Sequence, residues 1–230
     1  MLTRQAIRSG RFLESFDSLP KDVLWTQARI DESLSQTLAQ RPAEADDVWV
    51  FAYGSLMWNP LANFDRRQVA DLHDWHRSFC LRLIAGRGSP EHPGRMLALE
   101  PRGCTRGVAL RLHRDTFEEE LRIIWTREMV TGAYKPTWAP VTLDDGSETF
   151  AIAFIADPER AHYEPDARAE VIAPLMAVAS GLLGTNAEYV FKLQQALADC
   201  GVKDPYIERL AAELLRAMLS SRPAQQTAQR

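Results

Sequence analysis

Hydrophobic positions follow three regimes along the chain. In the first, Val23, Ile30, Leu34 and Leu38 are spaced for one face of a helix, and Ser18 with Pro20 predicts its start. A polar, acidic stretch from Arg41 to Asp47 then reads as a linker. The second regime opens with Val48-Trp-Val-Phe-Ala-Tyr53, an unbroken apolar run. Alternation would mean a half-buried strand; a run without a polar face predicts a strand buried on both sides. It stops at Gly54-Ser55, where a missing Cβ permits a sharp turn. N–H groups after such a strand lose their ladder partners, and an oxygen-rich ligand can take them. An ordinary strand-to-loop turn is the competing reading.

Up to residue 156 the pattern stays strand-like. Ser78–Ile84 places Phe79, Leu81 and Leu83 on one face. Short strands are predicted over Arg95–Glu100 and Thr105–Leu112, parted by turn chemistry at Pro101-Arg-Gly103. Ala139–Leu143 and Glu148–Ala156 flank a hairpin signal at Asp144-Asp-Gly-Ser147. The third regime is helical: Ala167–Leu183, Ala187–Asp199 and Tyr206–Leu219, with Asn186 as an N-cap and Gly201 as a C-cap glycine. The class predicted is α+β: a small mixed β-barrel interrupted by one helix and flanked by C-terminal helices. Residues 1–46 form a helical extension and linker, 47–221 the main domain, and 222–230 a disordered tail.

The interrupting helix carries the most informative side chain. Thr116 followed by Glu119 is a capping-box signature and predicts a start near Phe117. Phe117, Leu121, Ile124, Trp125 and Met129 then share one stripe, while Glu119, Arg122, Thr126 and Arg127 lie beside or behind it. Glu128 stands within the apolar stripe. Burial and the negative end of the helix both disfavour its ionised form and bring its pKa toward the range useful for proton transfer. A capped or Arg127-paired glutamate is the alternative, and Ile123 on the polar side shows the wheel to be imperfect.

Composition narrows the classes. A net charge of -4 without basic clusters leaves no electrostatic footprint for nucleic acid. No apolar run approaches the roughly 20 residues that span a bilayer. Residues 1–16 lack the apolar region of a secretory signal, so a cytoplasmic location is expected. Cys80, Cys104 and Cys200 are odd in number and widely spaced, and read as buried thiols in a reducing compartment. Ser55 lacks a G-x-S-x-G elbow, so a serine hydrolase is not indicated. His73 and His76 have helical metal-ligand spacing, yet no further ligands complete a site. The loop Arg87-Gly-Ser-Pro-Glu-His-Pro-Gly94 either recognises a ligand or simply links strands.

Six blocks in order, across roughly residues 48–200, resemble the ChaC family of γ-glutamylcyclotransferases, which act on glutathione. They are Val50-Phe-Ala-Tyr-Gly-Ser-Leu56, Arg77-Ser-Phe-Cys80, the loop at 87–94, Arg106-Gly-Val-Ala109, Arg127-Glu-Met-Val-Thr-Gly-Ala-Tyr134 and Gly184-Thr-Asn-Ala-Glu-Tyr189. Ala52 departs from the glycine usual in the family. The resemblance implies that the turn Tyr53, Gly54, Ser55, Leu56 holds the γ-glutamyl group through backbone amides, with Glu128 as catalytic acid/base. It assigns Tyr189 and, more loosely, Arg87 to substrate contacts. No metal, nucleotide or other cofactor is implied. The implied substrate is reduced glutathione, cyclised to 5-oxoproline with release of Cys-Gly. Two alternatives stay open: a cyclotransferase for other γ-glutamyl amino acids or amines, with the 87–94 loop deciding, and a non-catalytic γ-glutamyl-binding sensor.

Overall fold

The computed structural model of the chain describes residues 2–16 and 23–220, in two compact units. One unit takes the described residues within Met1–Leu81 and Leu97–Tyr163; the other takes those within Arg82–Met96 and Glu164–Arg230. The tail expected to be disordered lies outside the described residues.

The first unit begins with helices α1 (Arg4–Arg8), α2 (Arg11–Glu14) and α3 (Gln27–Ala39). Helix α3 starts later than the sequence suggested, because Thr26 supplies the cap: its hydroxyl accepts the Arg29 N–H at 3.3 Å. Val23 sits in a turn ahead of it, and Ser18 and Pro20 lie outside the described residues. After strand β1 (Trp49–Ala52) come a 3-10 turn (Ser55–Met57), β2 (Arg66–Leu83), β3 (Gly94–Arg111), helix α4 (Phe117–Glu128), β4 (Tyr134–Leu143) and β5 (Glu148–Ala156).

The five strands close into a barrel in the order β1-β3-β2-β4-β5. Most neighbours are antiparallel, but β5 runs parallel to β1 at Trp49↔Ala151 and to β3 at Leu99↔Ile155. That makes the barrel mixed, as the pattern predicted. All of β1 is buried, with Val50, Phe51 and Ala52 wholly inaccessible. Gly107 on β3 lets β1 come this close: a Cβ there would meet the Ala52 carbonyl oxygen at 2.7 Å and the Phe51 ring at 2.8 Å. The Asp144–Ser147 turn joins β4 to β5 as expected, with Gly146 at φ +83°.

Strand β4 begins at Tyr134, five residues before the predicted Ala139, and two further strand assignments change. Strand β2 begins at Arg66, twelve residues before Ser78 where the apolar face becomes visible. Strand β3 is continuous, not two strands, because Arg102 (φ +84°) and Gly103 (φ +87°) form a kink within it. His73 and His76 therefore lie on a strand; His73 Nε2 is 3.1 Å from the Thr142 hydroxyl, and His76 Nδ1 3.0 Å from the Arg102 carbonyl.

The second unit contains helix α5 (Ala169–Val178), a short hairpin of β6 (Ser180–Gly181) and β7 (Gly184–Thr185), and helices α6 (Asn186–Asp199) and α7 (Pro205–Ser220). The three helices pack on one another. Helix α5 ends five residues earlier than Leu183, where the chain turns into the hairpin. Thr185, not Asn186, caps α6, its hydroxyl accepting the Glu188 N–H at 3.0 Å. The Asn186 amide is instead buried and exchanges two hydrogen bonds with the Arg95 backbone, at 2.7 and 3.0 Å. Gly201 follows α6 at φ +68°, as a C-cap glycine should. None of the three cysteines is in a disulfide, and only Cys80 is buried; Cys200 is half-buried and Cys104 exposed. No helix among the described residues is long and apolar enough to cross a membrane.

Candidate active site

Helix α4 and the turn after β1 meet through one arginine. The α4 sequence is amphipathic, and of the predicted stripe Leu121, Ile124, Trp125 and Met129 are inaccessible, while Phe117 at the helix start is half-buried. Ile123 and Thr126 are also buried, because α3 packs against α4 and covers a face that would otherwise be wet. Thr116 marks the helix start but makes no side-chain cap bond, so the capping box does not form; Glu119 pairs with Arg8.

Glu128 is the last residue of α4, and its side chain is only 14% exposed. Burial raises its pKa above the ordinary carboxylate value, and the Arg127 guanidinium holds it back. Arg127 Nε lies 2.9 Å from Glu128 Oε1 but out of line for a hydrogen bond. Oε1 is thus shut off from solvent with no hydrogen-bond donor. Buried acceptors in folded proteins are nearly always satisfied, so one left open is a place where a donor is wanted.

Arg127 extends past the carboxylate to the 3-10 turn. Its Nη2 donates to Ser55 Oγ at 2.6 Å and its Nη1 to the Asn59 carbonyl oxygen. The turn itself closes with Met57 N–H to Gly54 O at 2.9 Å and Asn59 N–H to Ser55 O at 3.0 Å. Among the described residues, the N–H groups of Gly54 and Leu56 have no main-chain acceptor, as befits the start of a short helix. From the other side, the buried Arg77 fixes the turn's entry: Nε donates to the Tyr53 carbonyl at 2.8 Å and Nη2 to the Arg106 carbonyl at 2.7 Å. The Tyr53 hydroxyl donates to the Phe154 carbonyl, and its ring stacks 6.4 Å from Phe51, so that side chain is committed to the core.

The structure therefore brings Gly54, Ser55, Leu56 and Glu128 into one neighbourhood of the first unit. Arg87 and Tyr189 come together in the second. Arg87 Nη1 donates to the Thr185 carbonyl at 2.9 Å, lies 3.4 Å from Glu188 Oε2, and its guanidinium stands 5.6 Å from the Tyr189 ring centroid. The Arg127–Glu128 pairing that the sequence offered as an alternative is present, but the reach of Arg127 to Ser55 and Asn59 was missed, and Arg77 went unnoticed as a support. A cationic residue next to a glutamate on a buried face was the available signal. Burial and the nearby Glu100 push the Cys80 thiol up to about 12, which removes it as a thiolate nucleophile at neutral pH. Among the described residues, no group of three or more His, Cys, Asp and Glu side chains is placed to hold a metal ion.

Comparison with known proteins adds three findings. The model of the family described as ChaC-like protein matches residues 48–217. A relative from Escherichia coli K12, named glutathione-specific gamma-glutamylcyclotransferase, is 47% identical over 223 residues, covering 97% of this chain and 96% of the relative. One from Rattus norvegicus, named glutathione-specific gamma-glutamylcyclotransferase 1, is 32% identical over 189 residues, covering 77% and 85%. The crystal structure of a yeast cyclotransferase specific to glutathione superimposes with a TM-score of 0.67 at 21% identity, over 75% of this chain and all of that one, a likeness of fold.

Proposed function

This chain belongs to the ChaC-like protein family, and from that premise we propose that it is a glutathione-specific γ-glutamylcyclotransferase, a carbon–nitrogen lyase working by intramolecular aminolysis. The substrate follows the name of the Escherichia coli relative. The observation that carries the mechanism is Glu128 Oε1, a buried acceptor without a donor, on a carboxylate whose pKa is raised by burial.

The α-ammonium of the γ-glutamyl group supplies the missing donor. Glu128 takes one of its protons and leaves a neutral amine. The amine nitrogen attacks the γ-carbonyl carbon of the same residue, the C–N bond to cysteine breaks, and the five-membered ring of 5-oxoproline closes. Glu128 passes its proton to the departing amine of Cys-Gly; the ring nitrogen sheds its second proton as the C–N bond breaks, and Glu128 relays that proton to the same amine, so that 5-oxoproline keeps one N–H, Cys-Gly leaves as an ammonium and Glu128 ends as it began. Nucleophile and electrophile share one substrate, and the protein has mainly to hold them about 3–3.5 Å apart. The N–H groups of Gly54 and Leu56, with Ser55 between them, hold the substrate's carboxylate or the developing oxyanion. Arg127 and Arg77 keep that turn in place. Free thiols and a reduced substrate fit a cytoplasmic setting.

The test is incubation of the purified protein with reduced glutathione and mass spectrometry of the products. Equal amounts of 5-oxoproline and Cys-Gly are expected, with γ-glutamylalanine turned over far more slowly. Equal rates on both would replace the glutathione-specific reading with a broad γ-glutamyl one.

A further inference from the structure

Residues 2–16 and 23–47 lie outside the stretch matched by the family model, yet contacts from them hold α4 at both ends. At its first turn, the Arg4 guanidinium makes two hydrogen bonds to the buried Glu120 carboxylate and a third to the Leu61 carbonyl at 2.8 Å. Glu120 also receives the Asn63 N–H at 2.7 Å. Along its flank, Ile30 and Leu34 of α3 are buried, and Trp125 Nε1 donates to Ser33 Oγ at 3.4 Å. Just past its last turn, the Trp25 N–H donates to the Val130 carbonyl at 2.8 Å. The Trp25 indole fills the space where a side chain at residue 132 would project: a Cβ on Gly132, at φ +61°, would lie 2.0–2.2 Å from three indole atoms. Arg29 stands 4.2 Å from the Trp25 ring centroid and Arg160 5.7 Å.

We propose that this segment is a brace for the proton-transfer group, with Trp25 a positioning residue that fixes where the Glu128 carboxylate stands. The inference rests on the reading of Glu128 as acid/base. Glu128 occupies the last helical position, where backbone hydrogen bonds run out and ends fray. Met129 N–H to Trp125 O (2.8 Å) and Gly132 N–H to Met129 O (3.1 Å) close the chain around it. Trp25 covers that closure from outside through both its backbone and its ring, while Arg4 stops α4 from sliding along its axis. Barrel closure uses none of these contacts: its ladders run between residues 49 and 156.

The experiment compares full-length Trp25→Ala and Trp25→Phe with the unaltered chain in glutathione kinetics and in amide hydrogen exchange. Trp25→Ala should lower kcat about 10-fold or more with KM within roughly twofold, since ångström-scale misplacement costs up to ~100-fold. Met129 and Gly132 amides should exchange faster while β1 amides do not change, and Trp25→Phe should restore most of kcat. In a Glu128→Gln background, Trp25→Ala should cost nothing further. A folded Trp25→Ala variant with unchanged kcat overturns the brace, and so does a full-size loss repeated in the Glu128→Gln background. If Trp25→Ala does not fold, Arg4→Met carries the test, with the same split of kcat from KM expected and an unchanged kcat overturning it. An unaltered chain that leaves glutathione intact would refute the proposed function; the exchange at Met129 and Gly132, faster or unchanged, then decides the brace alone.

Discussion

Arg127→Met removes the guanidinium that joins the proton-transfer group to the turn and keeps the apolar stem. The side chain is 6% exposed, so almost nothing it donates is replaced by water. Its hydrogen bonds to Ser55 Oγ and the Asn59 carbonyl are charge-assisted, worth about 1.5–3 kcal/mol each. Methionine fills most of the volume, so a cavity adds little. Glu128, deprived of its cation, takes up a proton in preference to remaining charged and unpaired. The expected loss of stability at pH 7 is therefore about 3–5 kcal/mol. The same change moves the acid limb of kcat/KM. Arg127 holds the Glu128 pKa down against burial, so without it the base stays protonated to higher pH. Urea unfolding and a pH–rate profile read the two effects. Arg127→Lys separates them: its charge should keep the acid limb near its original place, while the lost fork still destabilises the turn. A stability loss below about 1 kcal/mol together with an unmoved acid limb in Arg127→Met would refute the reasoning.

Three further outcomes are expected. Folding raises the Glu128 pKa, so the native state keeps this proton longer than the unfolded chain; that contribution is complete below the ordinary carboxylate range and is lost as pH rises through the raised value. Glu128→Gln lacks this titration, so its stability relative to the unaltered chain should improve as pH rises, read by urea unfolding at several pH values. Ser55→Ala should lower kcat less than tenfold if the turn acts through backbone amides; complete loss with an intact fold would give the hydroxyl a direct part. Gly107→Ala should cost roughly 1–3 kcal/mol by thermal unfolding, because its Cβ meets the Ala52 carbonyl at 2.7 Å.

The parts legible in the sequence are those whose signal is local. Strand β1 announced itself because both of its faces are buried, and α4 because its stripe has the right period. The parts missed depend on distant partners. Strand β2 from Arg66 to Arg77 is largely polar, since one face is wet, and its ladder cannot be read from composition. Strand β4 was visible only from Ala139, because Pro136 looks like an interruption; Pro136 and Pro140, four residues apart, withhold donors from the same edge, and the ladder to β5 survives. Glu120 carried no signal of its own in the sequence; Arg4, 116 positions earlier in the chain, lets it be buried. Glu128 was legible as a carboxylate in an apolar stripe. Its connection through Arg127 to the Gly54–Leu56 turn required the fold.

The most direct measurement is the reaction of reduced glutathione in ¹⁸O-labelled water, with products weighed by mass spectrometry. Attack by the substrate's own amine predicts 5-oxoproline free of label, formed one for one with Cys-Gly. Glutamate carrying ¹⁸O in its γ-carboxylate would make water the nucleophile and contradict the account.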